Sequence, residues 1–262
     1  MYGAIIGDLA GSIYEFDQIQ KVHPVSMNQM IEENSFYSDD TILTIAILDA
    51  ILNQGDYGQY IRKYIHEYLD YKPDFHPYFK TIFSPRLIEW HEKDCQGNSK
   101  GNGAMMRISS IGYLFNREED ILRQSMLATI PSHNSSEAID AAQTVALIIY
   151  YARIGLSKEE IIQKLSKTFN YQAFSHFNTT CSETLSNCLY ALFSSSSYEE
   201  SIRKIISYGG DTDTNACIVG SMAEAFYGLD ENLVLLARQK IPSEFLSVLD
   251  QGYCKVKNYC QK

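Results

Sequence analysis

The strongest constraint on the fold of this chain is an apolar pattern with the period of an α-helix. Between residues 57 and 69, apolar side chains recur at intervals of three and four, so that they share one helix face behind Asp56, a predicted N-cap. The stripe consists of Tyr57, Tyr60, Ile61, Tyr64, Ile65, Tyr68 and Leu69. We expect this tyrosine-rich face to be part of the core.

Signals for helix starts recur along the chain, whereas signals for strands are scarce. Four predicted capping boxes each open an apolar segment of helical period: Asn134 with Glu137, Ser157 with Glu160, Thr180 with Glu183, and Ser197 with Glu200. Helix-breaking prolines separate such segments, at Pro77, Pro85, Pro131 and Pro242. The tetraserine at residues 194–197 is typical of a helix-to-helix loop, and no linker divides the chain. The sequence therefore predicts a single all-α domain of about ten helices over residues 1–262.

Charge, hydropathy and cysteine usage exclude several classes of protein. The chain has 22 Lys and Arg against 32 Asp and Glu, and this net charge of −10 argues against a general nucleic-acid binder. No apolar stretch reaches the roughly 18–20 residues of a membrane helix. The N-terminus lacks a basic segment and carries Asp8, so a signal peptide is not expected. The six cysteines include no C-x-x-C pair, which favours reduced thiols and a cytoplasmic protein.

Two short motifs carry more acid and hydroxyl groups than helix capping needs. Ser-Asp-Asp-Thr at residues 38–41 and Asp-Thr-Asp-Thr at residues 211–214 each precede an apolar helical segment. N-capping and the helix dipole explain one such residue, with one more acid in the first turn. Oxygen ligands for a hard divalent cation such as Mg²⁺ explain the whole set. Both interpretations stay open at this point.

The two interpretations differ in how close the motifs must lie. If the two helix starts converge, Asp39, Asp40, Asp211 and Asp213 become near neighbours. Each pair of like charges at about 4 Å costs roughly 4 kcal/mol at an effective dielectric constant near 20. Such carboxylates would repel one another or hold protons, unless one or two divalent ions joined them.

The N-terminal segment combines a glycine face with a polar face. Glycines recur at positions 3, 7 and 11, which on a helix gives a smooth surface for close packing. If the helix continues far enough, Asp8, Ser12 and Glu15 share one face at positions i, i+4 and i+7. This polar stripe is either a solvated surface or a wall of the acidic site.

Two further segments are candidates for ligand binding. Gly101 and Gly103 flank Asn102 and permit a tight turn with unobstructed N–H groups, as phosphate or ribose binding requires, although an ordinary turn has the same composition. Ser132 and His133 lie just ahead of a predicted helix start, where an imidazole can meet a ligand. A purely structural histidine is the alternative.

Taken in order, these motifs resemble the ADP-ribosylglycohydrolase family, in particular its dinitrogenase-reductase-activating glycohydrolase type. The matching stretches, between residues 3 and 228, are GAIIGDLAGSIYEF, SDDTILT, GNGAMMRISSIG, SHNSSEA and YGGDTDTNACIVGSMAEAFYG. The resemblance implies a compact, orthogonal all-α domain with a central pair of Mg²⁺ ions, or alternatively Mn²⁺. It also implies hydrolysis of the bond between C1″ of ADP-ribose and an acceptor.

The resemblance further implies roles for individual residues. Glu15 matches the family's glutamate near the scissile bond, and Asp8 matches an aspartate that supports the site or positions its helix. The implied metal ligands are Ser38, Asp39, Asp40, Asp211, Asp213 and Thr214. The implied ADP-ribose-binding residues are Asn98, Gly101, Asn102, Gly103, Ser132, His133 and Gly210. Asn98 supplies no charge where arginine-directed members usually carry Asp, so the acceptor stays open.

Two other functions compete with an ADP-ribosyl hydrolase. A relative that only binds ADP-ribose, or is structural, is expected to have lost metal ligands, whereas all six positions here keep oxygen-bearing side chains. A metal-dependent nucleotide phosphohydrolase would share the carboxylates but would release phosphate. We expect a monomer that acts on an ADP-ribosylated protein or small molecule.

Overall fold

The computed structural model of the chain describes residues 1–73, 81–93, 95–167 and 169–260, with side chains as far as residue 256. These residues form fifteen helices and two isolated β-bridges. The helices are α1 (Tyr2–Gly11), α2 (Glu15–Gln18), α3 (Asp39–Leu52), α4 (Tyr57–Glu67), α5 (Pro85–Glu92), α6 (Gly103–Met106), α7 (Ser109–Leu114), α8 (Glu118–Thr129), α9 (Ser136–Arg153), α10 (Lys158–Leu165), α11 (Cys181–Phe193), α12 (Tyr198–Ser207), α13 (Thr212–Tyr227), α14 (Glu231–Lys240) and α15 (Ser243–Cys260). The predicted all-α fold is confirmed. The helices outnumber the prediction because α2, α6 and α7 are too short to show an apolar period.

The centre of the fold is the contact between α1 and α13, which approach each other backbone to backbone. A Cβ on Gly7 would lie 2.0 Å from the carbonyl oxygen of Ala216, and one on Gly11 would lie 2.3 Å from that of Thr212. No side chain fits at such distances, so the predicted glycine face is confirmed. Both helices are buried along most of their length, and their contact fixes Asp8 and Asp213 inside the protein.

The first helix ends earlier than the predicted polar stripe requires. α1 stops at Gly11, the Ser12 N–H donates to the carbonyl oxygen of Asp8, and Glu15 begins the separate helix α2. The expectation that Asp8, Ser12 and Glu15 share one helix face is therefore wrong. The break is a turn in which the Tyr14 N–H donates to the Gly11 carbonyl oxygen.

The tyrosine stripe forms α4, and Asp56 caps it by accepting a hydrogen bond from the Gln59 N–H. Its buried apolar residues are Tyr57, Ile61, Tyr64 and Ile65, as expected of a core face, whereas Tyr60 is half-buried. Because the helix ends at Glu67, the last two stripe residues, Tyr68 and Leu69, lie at and beyond its C-cap.

One of the four predicted capping boxes is complete. Ser157 accepts from the Glu160 N–H while the Glu160 carboxylate accepts from the Ser157 N–H. At α9 the cap is Ser135, one residue after the predicted Asn134, because the Ser135 hydroxyl accepts from the Ala138 N–H.

The other predicted boxes are incomplete because their side chains bond elsewhere. The Thr180 hydroxyl donates to Asn178 and makes no capping bond at α11. Ser197 does cap α12, but the carboxylate of Glu200 accepts from Ser196 instead of closing the box. Glu137, the predicted partner of Asn134, accepts from the Ser182 N–H.

Two expectations about protein class can be compared with this fold. Across the described part of the chain, no helix is both long and apolar enough to cross a membrane. The described cysteine side chains are free thiols, at Cys95, Cys181, Cys188, Cys217 and Cys254. The Cys260 side chain and the predicted helix breaker Pro77 lie outside the described residues.

Candidate active site

Four segments meet where the C-terminus of α1 faces the N-terminus of α13, and they bring six carboxylates together. α1 and α2 contribute one each, the first turn of α3 contributes two, and the start of α13 contributes two. We call this set the acidic floor; it consists of Asp8, Glu15, Asp39, Asp40, Asp211 and Asp213. Its members come from both ends of the sequence, as the metal-binding interpretation requires.

The acidic floor contains two compact groups that share Asp213. Carboxylate oxygens of Asp8, Asp40 and Asp213 lie within 4.8 Å of one another, and so do those of Glu15, Asp211 and Asp213. Asp39 lies beside them and lines the cavity above the floor. Asp213 is thus the carboxylate common to both groups.

Asp8 caps the third helix from a neighbouring helix. One of its oxygens, Oδ2, accepts from the Ser38 N–H at 2.9 Å, from the Thr41 N–H at 3.1 Å and from the Thr41 hydroxyl. Its other oxygen, Oδ1, is buried without a hydrogen-bond partner among the described residues. Asp8 therefore positions α3, as the resemblance implied, and also presents a free oxygen to the acidic floor, which sequence reasoning did not assign to it.

The hydroxyls of the two motifs also reach this floor. Oδ2 of Asp40 accepts from the Ser38 hydroxyl at 3.2 Å and from the Thr214 hydroxyl at 3.0 Å, so the starts of α3 and α13 are joined through it. Oδ1 of Asp40 is buried and has no partner in the described part of the chain. The capping interpretation holds for Ser38, which accepts from the Asp40 N–H, but it leaves these oxygens unexplained.

Burial and mutual repulsion change the protonation of the acidic floor. Loss of water and the charge of Asp213 raise the pKa of Asp8 to about 7 and that of Asp39 to about 8. Burial, followed by the charge of Asp213, also raises the pKa of Glu15 and Asp40 well above the ordinary range. The raised pKa values favour the protonated forms of these groups in the absence of a cation, and a divalent ion would let them ionise.

The donor set fits a hard divalent cation. Every side chain in the two groups offers oxygen, which suits Mg²⁺ and Mn²⁺, and no described lysine or arginine lies within 4 Å of these carboxylates. The unpartnered oxygens of Asp8 and Asp40 belong to one of the two groups. A buried carboxylate oxygen without a donor is costly, and a bound cation removes that cost.

A cavity of about 700 Å³ opens above the acidic floor, a volume typical of small-ligand sites. Glu15, Asp39, Asp211 and Asp213 lie at its base. One side, which we call the loop wall, consists of Gly101, Asn102, Gly103, Ser132 and His133. The structure therefore brings most of the sequence-predicted site residues around one cavity.

The loop wall is tied to the acidic floor by Asn102, whose side-chain amide donates to Asp211 at 2.6 Å. The backbone N–H of Asn102 donates to Thr179, and that of Gly101 donates to the Ser99 hydroxyl. The expectation of unobstructed N–H groups is therefore wrong for these two residues, because the chain itself supplies their acceptors.

His133 lies on the loop wall as a neutral side chain. Its Nδ1 is 2.8 Å from the Ser132 hydroxyl, and its Nε2 is 3.5 Å from the position that a Cβ would take on Gly101 or Gly103. Burial and the nearby Arg107 guanidinium lower the pKa of His133 well below its usual range. The glycines leave room for the ring, which faces the cavity.

Two of the predicted ADP-ribose-binding residues, Asn98 and Gly210, do not line the cavity. Asn98 is exposed, and its backbone pairs with His133 in an isolated bridge that leaves Ser99 to face the site. Gly210 adopts φ +78 and donates its N–H to Gln18 at 3.2 Å. Its role in the structure is to make the turn that leads into Asp211.

Sequence reasoning missed an apolar side of the same cavity. Aromatic and aliphatic residues from four separate segments also line the cavity: Phe16, Phe36, Phe83, Leu87, Trp90 and Phe177. Each of them lies in a stretch that could equally be core, so no local pattern marks it. Their alignment depends on tertiary packing alone.

These features occur together in a known group of proteins. A family model described as ADP-ribosylglycohydrolase matches residues 1–261, and the chain belongs to this family. Membership confirms the predicted enzyme class, a glycosidase-type hydrolase that removes ADP-ribosyl groups from acceptors.

The chain is distantly similar to several named hydrolases. It is 21% identical over 306 residues to "ADP-ribosylhydrolase ARH3" of Mus musculus, covering 87% of this chain and 83% of that protein. It is 24% identical over 262 residues to "ADP-ribosylarginine hydrolase Tri1" of Pseudomonas putida (strain GB-1), covering 87% and 70%. It is also 24% identical over 162 residues to "ADP-ribosyl-[dinitrogen reductase] glycohydrolase" of Rhodospirillum rubrum, covering 57% and 51%.

A solved structure shares the fold. The chain superposes on one titled "ADP-ribosylglycohydrolase-related protein complex" with a TM-score of 0.68 and 19% identity, covering 97% of this chain and 93% of that one. The similarity confirms the helical architecture over nearly the whole chain.

Proposed function

We propose that this chain hydrolyses the bond between C1″ of ADP-ribose and its acceptor with the help of two divalent cations, Mg²⁺ or alternatively Mn²⁺. The observation that carries this proposal is the sharing of Asp213 by two carboxylate groups, because a common carboxylate is what a pair of adjacent cations needs. The proposed ligands are Ser38, Asp39, Asp40, Asp211, Asp213 and Thr214, together with Asp8 and Glu15.

The two groups hold different parts of the site. Asp8 and Asp40 lie below the cavity, where hydroxyl and N–H donors join them to the starts of α3 and α13. A cation bound there would have a structural role. Glu15 and Asp211 lie at the cavity base, where a substrate can reach. The bound cations would supply Lewis-acid polarisation of ribose hydroxyls and of a water molecule.

Glu15 is the proposed general base of the reaction. Glycoside hydrolysis passes through an oxocarbenium-like transition state and needs a positioned water and a carboxylate to take its proton. Glu15 faces the cavity from the first turn of α2, beside Asp211 and Asp213. Its neighbours hold it within reach of a water bound at the cavity base.

The loop wall and the apolar side would hold the ADP-ribose. His133 and the N–H of Gly103 would offer neutral donors to phosphate or ribose oxygens, and the aromatic rings that line the cavity would offer flat apolar surface to a base. Four carboxylates at the cavity base would repel a diphosphate, so a cation between them is needed before an anionic ligand can enter.

Several finer predictions remain proposals. The dinitrogenase-reductase-activating type is one of several compatible with the family, and Asn98 leaves the acceptor open. A monomeric state and a cytoplasmic location are expected from the sequence. Gly210 and Asn98 are proposed to act through the backbone around the site, because neither lines the cavity.

The decisive experiment is a panel of ADP-ribosylated substrates in which free ADP-ribose is measured with Mg²⁺ and with EDTA. We expect release only with the metal. Glu15→Gln should bind ADP-ribose and lose most hydrolysis, whereas Glu89→Gln, at an exposed position on α5, should match the wild type.

Three results would contradict this proposal. Phosphate release in place of ADP-ribose would indicate a nucleotide phosphohydrolase. Binding of ADP-ribose without release from any substrate would indicate a binding protein. Full activity in Glu15→Gln would remove that residue from the chemistry.

A further inference from the structure

Arg107 is a fully buried arginine without an acidic partner. It follows α6 as its C-cap residue, and none of the described carboxylates lies within 4 Å of its guanidinium. Its Nη2 donates to the Ala128 carbonyl oxygen at 3.2 Å and to the Ser132 hydroxyl oxygen at 2.7 Å. A buried charge that no acid balances is expensive, which indicates that its hydrogen bonds have a use beyond packing.

The bond to Ser132 determines where the proton of the Ser132 hydroxyl points. A guanidinium only donates, so the Ser132 oxygen is the acceptor in that bond. The remaining neighbour of this hydroxyl is Nδ1 of His133, at 2.8 Å. If Nδ1 carried a proton, the Ser132 proton would have no acceptor in the described part of the chain. The Ser132 hydroxyl and Nδ1 are therefore both satisfied only when Ser132 donates to Nδ1.

We propose that Arg107 and Ser132 are positioning residues that hold His133 in the tautomer with its proton on Nε2, and so aim an N–H donor at a phosphate or ribose oxygen of the bound ligand. This inference rests on the proposed function for the identity of the ligand. The relay itself, from Arg107 through Ser132 to His133, is a property of the free protein.

The surroundings of Nε2 are those of an N–H donor that is available to a ligand. No described residue forms a hydrogen bond with Nε2, and the atom lies 3.5 Å from the positions that Cβ atoms would take on Gly101 and Gly103. His133 lines the cavity. The positive charge of Arg107 opposes a second proton on the ring, so the imidazole stays a neutral donor.

The relay is not needed to shape the loop that carries it. The Pro131 carbonyl oxygen accepts from the Gly97 N–H at 2.8 Å and from the Trp90 indole at 2.8 Å. The Ser132 carbonyl oxygen accepts from the Ser99 N–H at 3.2 Å. Backbone groups therefore fix the loop, and the Ser132 hydroxyl is left to orient the imidazole.

The test is the tautomer of His133, read by long-range ¹H–¹⁵N spectra of the full chain labelled at histidine. His133→Gln identifies the signal among the six histidines. In the wild type we expect an unprotonated Nδ1 and a protonated Nε2. Ser132→Ala should populate both tautomers and weaken binding of ADP-ribose in Mg²⁺ by about tenfold, as loss of one oriented hydrogen bond does.

Three further variants test whether the effect comes from the orientation of the imidazole and not from folding. Ser125→Ala removes another fully buried hydroxyl, one that has no hydrogen-bond partner among the described residues, and should change neither readout. Ser132→Thr retains a hydroxyl and should restore the wild-type tautomer. Arg107→Met, which keeps much of the length of the side chain but donates no hydrogen bond, should resemble Ser132→Ala.

The spectra decide the relay independently of the ligand. A protonated Nδ1 or an imidazolium in the wild type would overturn it, and so would a His133 signal that is unchanged in Ser132→Ala. Failure of the wild type to bind ADP-ribose would instead contradict the proposed function and leave the spectral result standing as a test of the relay.

Discussion

The acidic floor and the loop wall adjoin each other in one cavity, but the floor is rich in carboxylates and the wall is neutral. The floor brings carboxylates close together, so that they repel one another. The close packing of α1 against α13 through glycines holds them in place despite this repulsion. The wall is neutral, and backbone hydrogen bonds and the Asn102 amide hold it. The floor thus depends on a cation for its charge balance, whereas the wall is already organised without one.

The largest expected effect of a substitution is at the carboxylate common to both groups. Asp213→Asn should lower turnover by at least about a thousandfold, equivalent to about 4 kcal/mol of transition-state stabilisation. In EDTA the same variant should be more stable than the wild type, because one source of repulsion is gone. Thermal unfolding with EDTA and with Mg²⁺ tests both; a variant less stable than the wild type in EDTA would contradict the account of the floor.

Metal removal should make stability fall as pH rises. Asp8 and Asp39, with pKa values raised to about 7 and about 8, keep protons in the folded protein that the unfolded chain releases near pH 4. Because the folded state binds more protons in this window, the free energy of unfolding decreases between about pH 4 and pH 8.

Magnesium provides the control for this pH dependence. Ionised carboxylates bind the cation, so Mg²⁺ should raise the melting temperature more at pH 8 than at pH 5. Melting curves at both pH values, with Mg²⁺ or EDTA, give the comparison. If the melting temperature of the metal-free protein does not fall over this pH range, repulsion among the carboxylates does not destabilise the acidic floor.

The contact between α1 and α13 through glycines can be disrupted without changing any carboxylate of the acidic floor. Gly7→Ala places a Cβ 2.0 Å from a backbone oxygen and should destabilise the fold by about 3 kcal/mol or more, because the two helices must move apart. Gly155→Ala meets nothing within 4 Å and should cost about 1 kcal/mol, from its φ of +86 alone. Equal losses in chemical denaturation would argue against close helix packing as the cause.

A smaller effect is expected on the loop wall. Gly103→Ala brings a Cβ to 3.5 Å from Nε2 of His133, at the edge of the space that a ligand would occupy. We expect KM to rise about threefold to tenfold with kcat little changed, since this contact serves binding and not chemistry. Steady-state kinetics would contradict this if kcat fell instead.

The smallest expected effect is at Asn98. Its side chain is exposed and lies outside the cavity, so Asn98→Ala should change kcat/KM by less than about twofold. A large loss would indicate that the acceptor extends beyond the cavity rim to this position, and would restore the role that the sequence assigns to Asn98.

The two sides of the cavity also differ in how well the sequence predicts them. The acidic floor is marked by acids and hydroxyls packed into short motifs, a local excess that capping alone does not explain. No sequence signal marks the end of α1 at Gly11. Ser12 and Glu15 keep the helical spacing of polar residues that begins at Asp8, although the backbone turns there. The local sequence pattern therefore predicts which side chains belong to the site, but it does not predict the path of the backbone between them.

The apolar side of the cavity shows what sequence pattern cannot provide. Phe36, Phe83 and Trp90 are buried residues in ordinary apolar surroundings, and only the packing of separate segments places them around one space. The backbone N–H of Asn102 gives the same lesson, because its acceptor is the carbonyl oxygen of Thr179, far along the chain. Such contacts depend on tertiary structure.

Anomalous scattering from crystals grown or soaked in Mn²⁺ would show whether two cations share Asp213. We expect two peaks about 3.5–4 Å apart with Asp213 in contact with both, and neither peak at full height in Asp213→Asn. A single ion away from Asp213, or no anomalous peak on the acidic floor of the wild type, would contradict this expectation.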